Sequence, residues 1–371
     1  MKVVGKAGTV KGFDYATDLL AQFEFGGRIG DDSFPSVSPA QQAKFQADFV
    51  AQFRKVQDQL AKYKWLSPDS PLPPRVVSGP YQPASDFHVF VSEMYDLSRS
   101  LVPSWQGQRG WMEFPAHRVV VGEAAIAHEL VHVLFPNGNR MLAEGLAVYL
   151  QQKLFSRLPV YPNYAQPLEE VVQSFLRTTF PDSPSDALWG IDLDGLESIS
   201  TPDDLYVRVG TRPFIGGDPA KDSPPDPQQT KFVYAVAGSC VGFLLENPIE
   251  EDGILTESNF GALYKSTPLR PLERDSGAPD RWHRFYRGKN RQGKTTSYSF
   301  SDLGLLWKTY MHFVLFSGGK DEMPIPDGYR KMELVAKLYS KLKGIEGQVS
   351  AKPAAGGERG GEVSKSEIYR R

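Results

Sequence analysis

The pentapeptide HELVH at residues 128–132 sets two histidines four residues apart, with a glutamate beside the first. On a helix, positions i and i+4 stand one above the other on a single face. The imidazoles of His128 and His132 can then reach one ion about 2.0–2.1 Å from each nitrogen. Glu129 is turned by roughly 100° from His128, beside such an ion rather than on it, where a carboxylate can take a proton from water. The alternative is a buried helix that carries two histidines without chemistry. Ala125, Ile126, Ala127, Leu130, Val131, Val133, Leu134 and Phe135 surround the pair. Unpartnered polar groups are costly in such company unless they share a cation.

The chain supplies a third ligand shortly afterwards. Pro136-Asn137-Gly138-Asn139 combines a helix breaker with a turn pair, which predicts that the helix over 124–135 stops there. A new apolar-periodic stretch, RMLAEGLAVYLQQKLF, starts at Arg140. The connection is too short for anything but a return alongside the first helix. Glu144 then falls near the level of His132, among apolar neighbours rather than on a solvated face. Two histidines and one carboxylate make a zinc sphere with a fourth position open for water, so one Zn²⁺ is the expected cofactor.

The elements that must position these groups follow from periodicity. PAQQAKFQADFVAQFRKVQDQLAKYKWL at 39–66 repeats apolar residues at helical spacing, and SPDSPLPP at 67–74 ends it. Short β-rich runs come next at 75–79, 87–92 and 117–122, with an ambiguous one at 108–114. Beyond residue 157, helical patterns dominate at 167–180, 230–247, 302–316 and 331–342, separated by Gly-, Pro- and charge-rich loops at 212–229 and 274–297. The reading is an α+β chain. It comprises an N-terminal helical segment (1–74), an α/β core with a mixed sheet and the metal site (75–157), and a mainly helical unit (158–345). A tail without ordered structure follows (346–371).

Bulk properties narrow the partners. Formal net charge is −2 with charged residues at 23%, so no positive field draws nucleic acid or an anionic membrane surface. Nothing approaches 18 consecutive apolar residues, which excludes an integral membrane segment. Cys240 is the single cysteine, so metal ligands must be His, Asp or Glu. The N-terminus lacks the apolar core of a secretory signal. A cytoplasmic location is expected for the sequence as written, or export if a signal peptide has been removed.

HELVH followed by LAEGLAVYL resembles the gluzincin metallopeptidases, the thermolysin-like and aminopeptidase-N-like zincins, and above all a small bacterial group of the peptidase-MA type. The resemblance covers residues 75–157 and extends more weakly to about 265. It implies a zincin-like fold, zinc on His128, His132 and Glu144, Glu129 as general base, and hydrolysis of a peptide or protein substrate. FVYAVAGSCVGFLLE resembles the segment that in aminopeptidase-N-like enzymes carries an oxyanion-binding tyrosine, which makes Tyr234 the candidate donor. The other reading of Tyr234 is a core aromatic, and His283 or His312 could fill the same role.

Two departures accompany the resemblance. Where those aminopeptidases carry Gly-Ala-Met-Glu-Asn to hold a substrate's amino terminus, this chain has Gly110-Trp111-Met112-Glu113-Phe114. Gly110, Trp111, Met112 and Glu113 remain the candidate substrate-binding strand, suited to an endopeptidase that aligns an extended peptide. Ala143 stands where the relatives place Asn before the third ligand, and Asn137 or Asn139 would have to substitute for it. The alternative function is a binding or scaffold protein that keeps zinc for structure and turns nothing over.

Overall fold

The computed structural model describes residues 8–15, 17–26, 39–63, 86–92, 110–113, 118–121, 126–135, 137, 139–155, 166–193, 199, 202–209, 227–246, 260–261, 264, 285–289, 295–317 and 323–351. Within these elements some side chains, that of Glu129 among them, lie outside the description. Among residues described to the side chain, 82% are helical and 1% lie in strands. This corrects the α+β expectation: the described molecule is mainly helical, without a mixed sheet as half of its architecture. The physical reason lies in the core, because most of the buried apolar side chains described belong to helices.

Contacts divide the chain into two units. The first comprises Met1–Ala165, Ala220–Pro227 and Gly261–Ala278; the second comprises Gln166–Pro219, Gln228–Phe260 and Pro279–Arg371. The first unit therefore joins the N-terminal segment and the metal-site region, and recovers a stretch from far downstream. Two strands, β1 (Gly8–Tyr15) and β2 (Thr17–Gly26), occupy ground expected to be part of a helical segment. Helix α1 (Pro39–Lys62) follows, then β3 (Asp86–Ser92), β4 (Gly110–Glu113) and β5 (Arg118–Val121). Backbone pairing alone orders them β1-β2-β3-β5-β4. Pairs β2–β3 and β3–β5 are parallel, and β1–β2 and β4–β5 antiparallel. The 75–79 run lies outside the described residues.

Helices α2 (Ile126–Leu134) and α3 (Arg140–Phe155) complete this unit. Val56 and Leu60 of α1 and Tyr63 just after it are buried, as are Leu130, Val131 and Phe135 at α2. Every residue from Met141 to Gln151 is buried, so that stretch of α3 is covered on all sides, as its small and apolar composition requires, while Lys153 near its end is exposed.

The second unit carries α4 (Leu168–Thr179), α5 (Pro184–Trp189), α6 (Pro202–Val209) and α7 (Pro227–Glu246, of which all but the first residue belong here). It continues with a hairpin of β6 (Phe285–Lys289) and β7 (Thr295–Ser299), then α8 (Phe300–Phe316), α9 (Asp327–Arg330) and α10 (Glu333–Ala351). The hairpin falls where a long loop was expected. Its antiparallel register, Phe285 opposite Ser299 through Lys289 opposite Thr295, comes from pairing that a charged, glycine-containing stretch does not announce. Helix α10 continues through Ala351, and the residues beyond it lie outside the description.

Helix α8 opens on a capping box. Ser299 Oγ accepts from the Asp302 amide at 3.0 Å, and Asp302 Oδ2 accepts from the Ser299 amide at 2.8 Å. Gly304 in its first turns faces Leu193 so closely that an added Cβ would stand 2.6 Å from that residue's Cβ. No helix among the described residues is long and apolar enough to cross a membrane.

Candidate metal centre

Helices α2 and α3 pack against each other across a connection of five residues, 135–139. Asn139 starts the second helix: its side-chain oxygen accepts from the Leu142 amide at 3.0 Å and its carbonyl from the Ala143 amide at 2.9 Å. These bonds satisfy donors that a helix N-terminus otherwise leaves open. Asn137 Oδ1 in turn accepts from the Asn139 amide at 2.8 Å, an Asx turn.

This hairpin brings His128, His132 and Glu144 together. His128 Nε2 lies 3.0 Å from Glu144 Oε2 and 3.2 Å from His132 Nε2, and His132 Nε2 lies 3.5 Å from the same carboxylate oxygen. All three residues are buried. Tetrahedral bonds of about 2.0–2.2 Å separate neighbouring donor atoms by about 3.3–3.5 Å. The three observed separations bracket that range at its lower side, so these residues fit a zinc ion with a small adjustment. They are also the one group of three potential ligands among the described residues.

Charge supports the same geometry. Burial pushes the Glu144 carboxyl upward, yet the Arg140 guanidinium, the charge of His132 and hydrogen bonds from both histidines outweigh it. Together they hold the group well below the usual carboxylate range. Glu144 is thus an anion, the form that ligates a metal. Arg140 Nη2 stands 3.3 Å from Oε1, leaving Oε2 to the histidines.

The remaining candidates are placed differently. Glu129 lies within α2, one residue along from His128, and its side chain is outside the described residues. Gly110, Trp111, Met112 and Glu113 form β4, which ends the strand order among the described residues and pairs there with β5; their side chains are likewise not described. Tyr234 belongs to α7 in the second unit and is partly exposed, whereas the three ligands belong to the first. His283 lies outside the described residues. His312 is a structural residue of the second unit: Trp189 Nε1 donates to its Nδ1 at 3.2 Å, and its Nε2 donates to the Met323 carbonyl at 2.9 Å. Since indole only donates and a carbonyl only accepts, the ring is the neutral Nε2–H tautomer.

Two neighbours of the site escaped the sequence reading. Arg140 sits four residues before Glu144, a spacing that marks a helical ion pair and could have disclosed it. Tyr264 is buried, stacks on Phe135 at 4.6 Å between ring centroids, and receives a hydrogen bond on its carbonyl from Asn137 Nδ2 at 2.7 Å. Burial, with the Glu144 charge adding to it, raises its phenol well above the ordinary tyrosine value. No local pattern at residue 264 points to this.

Family models, curated proteins and solved structures give no match to the chain. The functional reading therefore rests on the site itself.

Proposed function

We propose that this chain is a zinc-dependent peptidase of the gluzincin type, with His128, His132 and Glu144 as ligands and Glu129 as general base. The observation that carries the reading is the convergence of two imidazole nitrogens and one carboxylate oxygen at 3.0, 3.2 and 3.5 Å, with Glu144 ionised by its surroundings. A zinc ion so held would polarise a scissile carbonyl and lower the pKa of a bound water to about 7.

The chain's own residues supply the rest. Glu129 would accept a proton from the attacking water and pass it to the leaving amine. Arg140, by occupying Oε1, fixes which oxygen Glu144 presents. Gly110–Glu113, on a strand that ends the sheet order, would align an extended peptide by backbone pairing. An endopeptidase fits the departure from the aminopeptidase strand better than an aminopeptidase does.

The burial of all three ligands favours a second reading, zinc kept for structure without turnover, since catalysis needs one open position. One comparison separates them. Zinc content and cleavage of a mixed peptide library are measured for wild type and Glu129→Gln. The peptidase reading expects equal zinc in both and cleavage only by wild type. Equal cleavage by both would remove Glu129 from the mechanism. No cleavage by either, with a large chelator-induced fall in Tm, establishes the structural role.

A further inference from the structure

The relative position of α2 and α3 decides whether three ligands meet, yet the turn between them is not held by its own residues alone. Asn137 spends both ends of its amide there. Oδ1 accepts from the Asn139 amide, while Nδ2 reaches across 127 positions of sequence to the Tyr264 carbonyl at 2.7 Å. The same residue 264 lays its ring on Phe135, the residue that closes α2, with 11° between the planes. Phe135 and Tyr264 are both buried, and Asn139 is the cap of α3. One downstream residue therefore grips the end of the first helix through its ring and the start of the second through its backbone.

We infer that Asn137 and Tyr264 form a positioning pair that holds Glu144 in register with His128 and His132. Metal affinity then depends on the Gly261–Ala278 stretch, which belongs to the same unit as the hairpin although the chain passes through the second unit to reach it. The inference rests on the zinc reading above. Its physical content is that Glu144, one turn into α3, shifts with the cap.

The test uses the full chain, with Zn²⁺ alone and Co²⁺ alone as probes. Asn137→Asp keeps the oxygen that receives the Asn139 amide and removes the donor to the Tyr264 carbonyl. Tyr264→Leu keeps that carbonyl and removes the stacked ring. Zinc Kd is measured by competition with a chromophoric chelator, the visible spectrum is recorded with Co²⁺, and Tm is measured on chelated protein. Asn137→Asp is expected to weaken zinc by about 10- to 100-fold, the range typical for groups that orient metal ligands, and to change the Co²⁺ spectrum while the chelated protein still melts cooperatively. A folded Asn137→Asp protein with wild-type zinc Kd and Co²⁺ spectrum overturns the inference even if its Tm has dropped, because that is the mark of a purely structural pin. If Asn137→Asp does not fold, Tyr264→Leu decides on the same readings: about 10-fold weaker zinc supports the pair and an unchanged Kd overturns it. Wild type that binds no zinc defeats the metal reading and this inference together, a result distinct from an unchanged variant.

Discussion

Arg140 and Glu144 divide one carboxylate between two tasks. The guanidinium holds Oε1 at 3.3 Å, and Oε2 faces both histidines. The pair spans one helical turn, the spacing at which ion pairs form along a helix. The anion is thereby available to a cation at neutral pH although it is buried.

This pairing predicts a pH-dependent stability difference in chelated protein. The folded-state carboxyl is held below its ordinary value, so its contribution is present above the unfolded value near 4.5 and is lost as pH falls through the lower folded value. Removing Arg140 raises the folded value and shrinks that contribution. Arg140→Gln should therefore be less stable than wild type at pH 7, and the two should converge in strong acid. Urea midpoints from pH 7 downward check this; a gap that stays constant across the series contradicts an electrostatic origin.

Zinc removal should lower stability by mass action. A ligand that binds only the folded state at a thousandfold excess over its Kd adds about 4.1 kcal/mol. Tm of wild type is expected to rise with free zinc and fall with chelator. His132→Ala should show neither response, and calorimetry at two zinc concentrations reads the difference.

Gly304→Ala should destabilise the second unit. The new methyl would stand 2.6 Å from Leu193 Cβ, a backbone-anchored atom that cannot swing aside. Overpacking of this kind costs about 1–3 kcal/mol, against a helix-propensity gain of at most about 1 kcal/mol. A lower urea midpoint with an unchanged slope is the expected result, and a stabilised variant would show that α8 can shift.

Cys240 should be inert in the native protein. Burial pushes its thiol up to about 12, and the thiolate is the reactive form. Ellman's reagent is expected to find no thiol in folded protein and one after unfolding in guanidinium. Rapid labelling under native conditions would mean that α7 opens locally.

The helices were legible because their apolar periodicity is local. The stretch at 39–66 predicts α1, the break at 136–139 separates α2 from α3, and 302–316 matches α8 nearly residue for residue. The class was not legible. Short β-rich runs suggested an α+β chain, but a run's weight in the architecture depends on what packs over it, and the described core is built from helices. The β6–β7 hairpin was missed for a related reason: two five-residue strands of mixed polarity carry no clear alternation to announce their pairing.

What the sequence by itself determined is which three side chains come together at the candidate site. Two histidines at i and i+4, a break, and a glutamate early in the next helix require no tertiary information, since helix geometry and a short connection constrain all three. The tertiary structure alone decided the 3.0 to 3.5 Å donor separations, the approach of Leu193 to Gly304, and the grip of Tyr264 on the turn. Such contacts join residues far apart in the chain. Their partners are chosen by packing, and packing leaves no periodic mark on either segment.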